Sequence, residues 1–171
     1  VDGVAEGRRD TISVFDGPAP LVRICDDEDE EIADVASWLR SRAGEGMRAH
    51  ELGVFVRSDA QIKRAMAAVK AAGLVPIRID EDLDVPADKV VVGTMHLAKG
   101  LEFRAVVVMA CDDEVVPLQE RIETVSDQAD LEEVYATERH LLYVACTRAR
   151  EELLLTGVHP ASEFLDDLEA V

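Results

Sequence analysis

Aromatic side chains and basic residues are both scarce in this chain of 171 residues. Phe, Trp and Tyr make up 4% of the residues and hydrophobic types 48%, so the core has to be built from aliphatic side chains. Lys and Arg number 18 against 36 acidic residues, which gives a formal net charge of -18. Because free-standing nucleic-acid binders and proteins that bind anionic membrane surfaces are usually basic, this balance argues against both classes.

Short signatures of several other classes are missing as well. No apolar run approaches the roughly 18 residues needed to span a bilayer, and the acidic start at residues 1–4 is unlike a signal peptide. We therefore expect a cytoplasmic protein with no membrane partner. Cys25, Cys111 and Cys146 form no CxxC pair, which indicates neither a zinc site nor a disulfide framework, and we expect three reduced thiols.

The chain also lacks a loop of its own for nucleotide phosphates. Neither the pattern GxxxxGKS/T nor a GxGxxG pattern after a strand occurs in the sequence. If the fold handles a nucleotide, the phosphate loop therefore has to come from another domain.

Apolar, β-branched runs alternate with helical periodicities along the chain. The runs that predict strands lie at 20–25, 52–57, 74–79, 89–94, 104–109 and 151–156. The segments that predict helices lie at about 26–44, 58–73, 127–149 and 161–168. This alternation predicts an α/β fold, a mostly parallel sheet with helices on both faces. Residues 1–19 are interpreted as a ragged lead-in and residues 20–171 as one domain.

Two acidic runs admit a metal-binding interpretation. Residues 26–31 open a predicted helix, and residues 112–114 follow a buried strand. Carboxylates at a helix start stabilise the positive end of its dipole, so a solvated, capped helix is the favoured interpretation of the first run. A solvated loop is favoured for the second, because no phosphate loop accompanies it as in a magnesium site for nucleotides. We therefore expect no metal ligands.

Two polar segments carry the side chains suited to chemistry. Residues 93–103, GTMHLAKGLEF, join two β-branched runs. We expect such a loop at the carboxyl edge of a parallel sheet, where ligands bind. Residues 138–150, ERHLLYVACTRAR, form the end of the long predicted helix. Taken singly, the first segment also fits an ordinary solvated connector, and Arg148 also fits an arginine that stabilises a helix end.

Together and in this order, the two segments resemble motifs V and VI of the UvrD/Rep/PcrA-like superfamily 1 DNA helicases. Residues 94–103 match the pattern T-x-H-x-x-K-G-L-E-F, and residues 138–149 carry the Glu, Arg, Leu-Tyr-Val and Thr-Arg-Ala of motif VI. Residues 54–61, VFVRSDAQ, resemble the family's strand-to-helix motif R-S/T-N-x-Q. The resemblance covers roughly residues 20–157, most of the chain.

The resemblance implies a RecA-like fold, which is related to the P-loop NTPases. In such helicases two RecA-like domains hold ATP and Mg²⁺ between them, and the first domain carries the phosphate loop. This chain looks like the second, C-terminal domain alone. Its implied partners are an N-terminal RecA-like domain of the same parent chain and single-stranded DNA. The isolated chain is expected to be inactive in ATP hydrolysis.

Individual roles follow from the same resemblance. Arg148 would be the arginine finger, which places positive charge on the phosphoryl group in transfer. Glu102 would contact the ribose of ATP, with the Gly100 backbone close by. The residues that would face single-stranded DNA are Arg57, Gln61, Thr94 and His96.

The chain departs from the family pattern in three respects. Asp59 stands where the family usually has Asn, and its negative charge weakens the case for a DNA contact there. The family's preceding motif, with a second ATP-contacting arginine, is absent from the sequence. About ten residues separate Ile79 from Val90, which leaves no room for the large accessory insertion of the best-known members. The strong acidity of the chain and Asp59 leave an alternative function, a non-enzymatic, helicase-derived module that binds a protein partner.

Overall fold

The computed structural model describes residues 18–80 and 84–169 of the chain. Most of the predicted lead-in, residues 1–17, lies outside the described residues. The strands are β1 (Leu21–Cys25), β2 (Leu52–Val56), β3 (Val75–Arg78), β4 (Lys89–Thr94), β5 (Phe103–Val108) and β6 (Ala149–Val158). The α-helices are α1 (Glu28–Gly44), α2 (Ile62–Ala71), α3 (Gln119–Glu123), α4 (Gln128–Cys146) and α5 (Phe164–Glu169).

The strands form one sheet in the order β1-β6-β5-β2-β4-β3, and every neighbouring pair is parallel. The predicted α/β architecture is therefore confirmed. β2, β4, β5 and β6 lie side by side in the interior of the sheet, because their continuous apolar sequences suit strands that are covered on both faces. β3 contains Pro76 and lies at an edge, where a residue without an N–H costs no ladder hydrogen bond.

Successive side chains along the central strands enter two separate cores, one on each face of the sheet. Val54 and Val56 of β2 pack into the core that contains α1 and α2. Phe55, between them, packs into the core that contains α4 and α5. Helices therefore cover both faces, as predicted, and both cores are mainly aliphatic.

Local sequence explains where the two long helices begin. The side chains of Asp27 and Asp127 each accept a hydrogen bond from the backbone N–H three residues later, at 2.8 and 2.9 Å. α1 is followed by Gly46 at φ 105°, a conformation that favours glycine. α2 begins at Ile62 rather than at residue 58 as predicted, because a short 3-10 turn precedes it, and neither Ser58 nor Asp59 caps the helix with its side chain.

Three elements near the end of the chain differ from the predictions. α3 forms between β5 and α4, where the sequence predicts no helix. β6 is ten residues long rather than six, because it pairs with β5 along one side and with β1 along the other. α5 begins only at Phe164, since Ala161 forms an isolated bridge with Asp112.

Candidate functional site

The segment between β4 and β5 runs from one end of the strands to the other. The carboxyl edge is the side of the sheet where the parallel strands end, and the amino edge is the side where they begin. β4 ends at Thr94 at the carboxyl edge and β5 begins at Phe103 at the amino edge, so residues 95–102, called here the crossover, run the length of the strands. The crossover passes over β2, which lies between β4 and β5. Its ends are on the order of 20 Å apart, since Thr94 lies level with Met109 and strand residues rise about 3.3 Å each from Phe103 onwards. The expectation that the whole loop lies at the carboxyl edge is therefore wrong for its second half.

The crossover is anchored by its apolar side chains. Met95 and Ala98 are buried, and Leu97 and Leu101 pack against the same core as α4. The polar side chains of the crossover remain at the surface, namely His96, Lys99 and Glu102. The segment thus holds its polar groups on a packed support instead of on a free loop.

At the amino edge, Arg148 lies beside the second half of the crossover. Its carbonyl accepts a hydrogen bond of 2.9 Å from the Phe103 N–H. Its half-buried side chain donates from Nε to the Val144 carbonyl at 3.1 Å, from Nη1 to the Leu101 carbonyl at 3.4 Å and from Nη2 to the Thr147 hydroxyl at 3.0 Å. The guanidinium therefore rests on the end of α4 and on the crossover.

Gly100 and Glu102 flank the carbonyl that Arg148 contacts, so the three residues predicted to contact ATP lie together. Gly100 has φ 83°, in the left-handed region that favours glycine, and a Cβ built there would meet nothing within 4 Å. Glycine is thus required by the backbone conformation, and the space beside it is open. The exposed Glu102 carboxylate can accept hydrogen bonds from hydroxyl groups. The nearby Arg148 guanidinium can neutralise phosphate oxygens.

At the carboxyl edge, Thr94 pairs with Val56, and Arg57 follows directly. Arg57 is only 4% exposed. Its Nε and Nη2 donate to the two carboxylate oxygens of Glu138, both at 2.7 Å. The structure places this arginine in a buried, bidentate ion pair rather than on an open surface, and its contact with DNA stays a prediction.

Two further side chains surround this ion pair. Arg121 donates from Nη1 to Glu138 Oε1 at 3.2 Å. Burial alone would raise the pKa of Glu138, but the hydrogen bonds and charges of Arg57 and Arg121 hold it below its ordinary value. The pKa of His96 is lowered by partial loss of water contact and by the charges of Arg57 and Arg121, with Glu138 opposing them. The lowered pKa favours the neutral imidazole.

A second buried ion network at the same edge was missed by sequence reasoning. Arg64 of α2 is 7% exposed, and its Nε donates to Glu31 at 2.6 Å. Its Nη1 and Nη2 donate to the two oxygens of Asp112 at 2.8 and 3.0 Å. Glu31 also accepts a hydrogen bond of 3.1 Å from the Ala110 N–H. The sequence did contain a signal for the burial of Arg64. Arg64 lies one helical turn before Ala68 and so on the same face of the helix, and Ala68 lies in the core.

The remaining predicted contacts lie near this network. Gln61 is half-buried, with its Oε1 3.5 Å from Arg64 Nη1. Asp59, the departure from the family pattern, pairs with Arg78 Nη2 at 2.6 Å, and both side chains are exposed. The negative charge at this position is therefore countered by a cation from the neighbouring edge strand.

One group of side chains has the composition of a metal site. Donor atoms of Cys25, Glu30 and Asp34 lie within 4.8 Å of one another. Burial, together with a hydrogen bond of 3.4 Å to Asp34, raises the pKa of the Cys25 thiol to about 12. Because a metal ligand has to be the thiolate, the geometry supports a hydrogen-bonded thiol rather than a ligand.

Comparison with known proteins agrees with the motifs. The family model described as UvrD-like helicase C-terminal domain matches residues 76–159. ATP-dependent DNA helicase PcrA from Bacillus subtilis is 41% identical over 77 residues, which are 45% of this chain and 10% of that protein. ATP-dependent DNA helicase UvrD1 from Mycobacterium leprae is 38% identical over 86 residues, covering 44% of this chain and 10% of that protein. The predicted resemblance is confirmed.

A solved structure extends the likeness over most of the chain. The crystal structure of the C-terminal domain of a possible DNA helicase from Lactobacillus plantarum WCFS1 has a TM-score of 0.64 and 26% identity. The match covers 89% of this chain and 81% of that one. By contrast, the matches to PcrA and UvrD1 span about a tenth of those proteins' length, 10% in each case. In residues 18–80 and 84–169, no helix has the length and apolar content that a membrane crossing requires.

Proposed function

We propose that this chain is the second RecA-like domain of an ATP-dependent DNA helicase or translocase, because residues 76–159 match the model of the UvrD-like helicase C-terminal domain. In this proposal, an N-terminal RecA-like domain of a longer parent chain carries the phosphate loop and binds ATP with Mg²⁺. This chain closes the nucleotide site from the other side and forms part of the track for single-stranded DNA.

The observation that carries the proposal is the course of the crossover. Gly100, Glu102 and Arg148 lie at the amino edge, whereas Thr94 and His96 lie at the carboxyl edge. A single packed segment of eight residues, 95–102, therefore joins the group suited to ATP and the group suited to DNA. This arrangement supports a coupling role, because a change in contacts at one edge alters the position of residues at the other.

The amino-edge group fits one side of a nucleotide site. Arg148 would give up its hydrogen bonds to carbonyl and hydroxyl oxygens, and its planar guanidinium would donate hydrogen bonds to phosphate oxygens instead. Phosphate oxygens bind a guanidinium more strongly because they are charged. Glu102 is exposed and would accept hydrogen bonds from the ribose hydroxyls. ATP with Mg²⁺ supplies the phosphoryl group and its leaving group, and the residues of this chain orient the nucleotide and neutralise charge.

The carboxyl-edge group fits a nucleic-acid backbone. Thr94 is partly exposed and can donate a hydroxyl hydrogen bond to a phosphate, and neutral His96 can donate a hydrogen bond or stack on a base. Arg57 would act from beneath this surface through its charge and by fixing Glu138. Gln61 is proposed as a further contact on the same track.

The first prediction tests Arg148. In a parent protein with both RecA-like domains, Arg148→Ala should lower ATP turnover at least about a hundredfold, since an arginine finger contributes roughly 10³ to 10⁵ in rate. Arg148→Lys should restore only part of the rate, because an ammonium cannot reproduce the guanidinium fork. Steady-state ATPase measurements with saturating single-stranded DNA provide the readout.

Arg150→Ala is the matched control, because Arg150 is exposed in β6 two residues further on. It should hydrolyse ATP at nearly the parental rate, and all three variants should unfold at nearly the parental temperature. Parental turnover by Arg148→Ala would mean that Arg148 only stabilises a helix end. The alternative, a non-enzymatic module that binds a protein partner, would then account better for the acidic surface.

A further inference from the structure

Two arginines contact Glu138, although one is enough to neutralise its charge. Arg57 already donates to both of its oxygens at 2.7 Å, and the carboxylate side chain is fully buried. Arg121 adds a third hydrogen bond at 3.2 Å. Two guanidinium groups on one carboxylate leave the group with a net charge of about +1, because arginine does not deprotonate in proteins.

The additional cation is also the accessible one. The Arg121 side chain is 38% exposed, compared with 5% for Arg57. Arg121 has two exposed acidic neighbours on α3, Glu120 and Glu123, yet among the described residues its ion pair is with buried Glu138. The guanidinium is therefore held at a defined place at the surface instead of moving among exposed carboxylates.

The turn that carries His96 contacts α4, the helix that carries Glu138. The His96 imidazole is exposed and close enough to Arg57 and Arg121 for both charges to lower its pKa, although Glu138 opposes them. The group formed by Arg57, Arg121 and Glu138 therefore carries net positive charge on a chain with a formal net charge of -18. A partly exposed cation that is fixed in this way can attract an anion.

The position of this cation indicates which anion it attracts. Arg121, His96 and Thr94 belong to the carboxyl edge, whereas Arg148 lies at the amino edge, a strand length away. A nucleotide held by Arg148 is therefore at the wrong edge to reach Arg121. A strand that contacts Thr94 and His96, as in the proposed function, passes this cation.

We propose that Arg121 binds a backbone phosphate of single-stranded DNA and that His96 contacts the same or the adjacent nucleotide. Buried Glu138, fixed by Arg57, acts as the positioning residue that holds the Arg121 guanidinium at the strand. The proposal rests on the proposed function, because it assigns a new contact to the same DNA track.

The test follows amide and imidazole signals of the isotope-labelled chain by NMR during titration with an oligothymidylate at about 20 mM salt. Arg121→Gln should weaken binding about tenfold and lower the salt slope by about 0.7, the contribution of one single-strand phosphate contact. Arg23→Gln is the control, because it removes the same charge from an exposed position in β1, at the edge of the sheet. Arg57 keeps Glu138 paired in Arg121→Gln, so the fold should be retained, and the spectrum itself verifies this.

The outcomes separate this proposal from the proposed function. If DNA shifts the signals of Thr94 and His96 equally in Arg121→Gln and Arg23→Gln, the Arg121 contact is refuted and the DNA track stands. If DNA shifts neither signal in the chain without substitutions, the track and the Arg121 contact both fail. Titrations with inorganic phosphate and ATP at matched ionic strength complete the test, because equally strong binding of either would reveal a general anion site and overturn the assignment to a strand.

Discussion

Two buried carboxylates in this protein have opposite electrostatic responses to their surroundings. Burial raises the pKa of Glu31, and the opposing effect of Arg64 is too small to reverse it. The pKa of Glu138 is lowered despite burial, because Arg57 and Arg121 both contact it. Glu138 therefore stabilises the fold above its ordinary pKa of 4.5, and that contribution is lost as the pH falls through the lowered value.

The strength of the Arg57–Glu138 pair can be measured by removing one partner. Arg57→Met should lower the free energy of unfolding by about 3–5 kcal/mol, because it leaves a buried carboxylate with only the 3.2 Å contact to Arg121. The double variant Arg57→Met/Glu138→Leu should recover most of that loss, since it leaves no buried charge without a partner. Urea unfolding provides the measurement.

Arg78→Met is the matched control for this series, because Arg78 and Asp59 form an exposed pair. It should change the free energy of unfolding by no more than about 1 kcal/mol. A loss in Arg57→Met as small as this would show that the buried pair contributes no more than a surface one.

At the scale of elements, the strands were predictable because their signal is local. Continuous β-branched runs such as KVVVGT in β4 and FRAVVV in β5 are typical of strands covered on both faces, and a proline such as Pro76 is typical of an edge strand. The motif residues Gly100, Glu102 and Arg148 were likewise found from sequence, and they lie together in the structure.

What sequence could not predict depends on contacts between distant residues. Arg64 reaches Glu31 and Asp112 across separations of 33 and 48 positions, and Arg57 reaches Glu138 across 81. Each of these charges looks like a solvated surface group in its own segment. The course of the crossover was also missed, because strand order, not local pattern, decides that β2 separates β4 from β5.

A glycine in β6 tests how tightly adjacent elements approach. A Cβ added at Gly157 would lie 2.5 Å from the Cys111 carbonyl oxygen and 2.9 Å from its carbon. Because these are backbone atoms that cannot rotate away, Gly157→Ala should lower the free energy of unfolding by about 1–3 kcal/mol. Thermal or urea unfolding gives the change.

Gly44→Ala serves as the opposite case. Gly44 is the last residue of α1, and a Cβ there would meet nothing within 4 Å. Alanine should therefore raise the free energy of unfolding by about 0.4–1 kcal/mol through a smaller entropy loss. Equal destabilisation by both substitutions would contradict the close approach of β6 to the chain at Cys111.

At the scale of the whole molecule, the three cysteines report on the integrity of the fold. Cys25, Cys111 and Cys146 are free and buried, and burial raises the pKa of all three thiols. At pH 8 a disulfide reagent such as DTNB should react with all three thiols of the denatured chain. Over the same time it should react with none of them in the native chain, because only the thiolate attacks.

Cys25→Ser provides the control, since it should reduce the final count of reactive thiols by one without speeding the reaction of the other two. Cys25 is in β1 at one edge of the sheet, and the other two cysteines contribute to the core with α4. Rapid reaction of one thiol in the native chain without substitutions would indicate local opening. If Cys25→Ser abolishes that rapid reaction, the opening is at β1.

The crossover also determines how this domain can move. Its first residue follows a strand end fixed by the pairing of Thr94 with Val56, its last precedes the pairing of Phe103 with Ala149, and Met95 and Ala98 anchor the middle in the core. Such a segment is held at both of its ends and at its middle. We therefore expect a displacement imposed on Arg148 to reach Thr94 through movement of the domain as one stiff body.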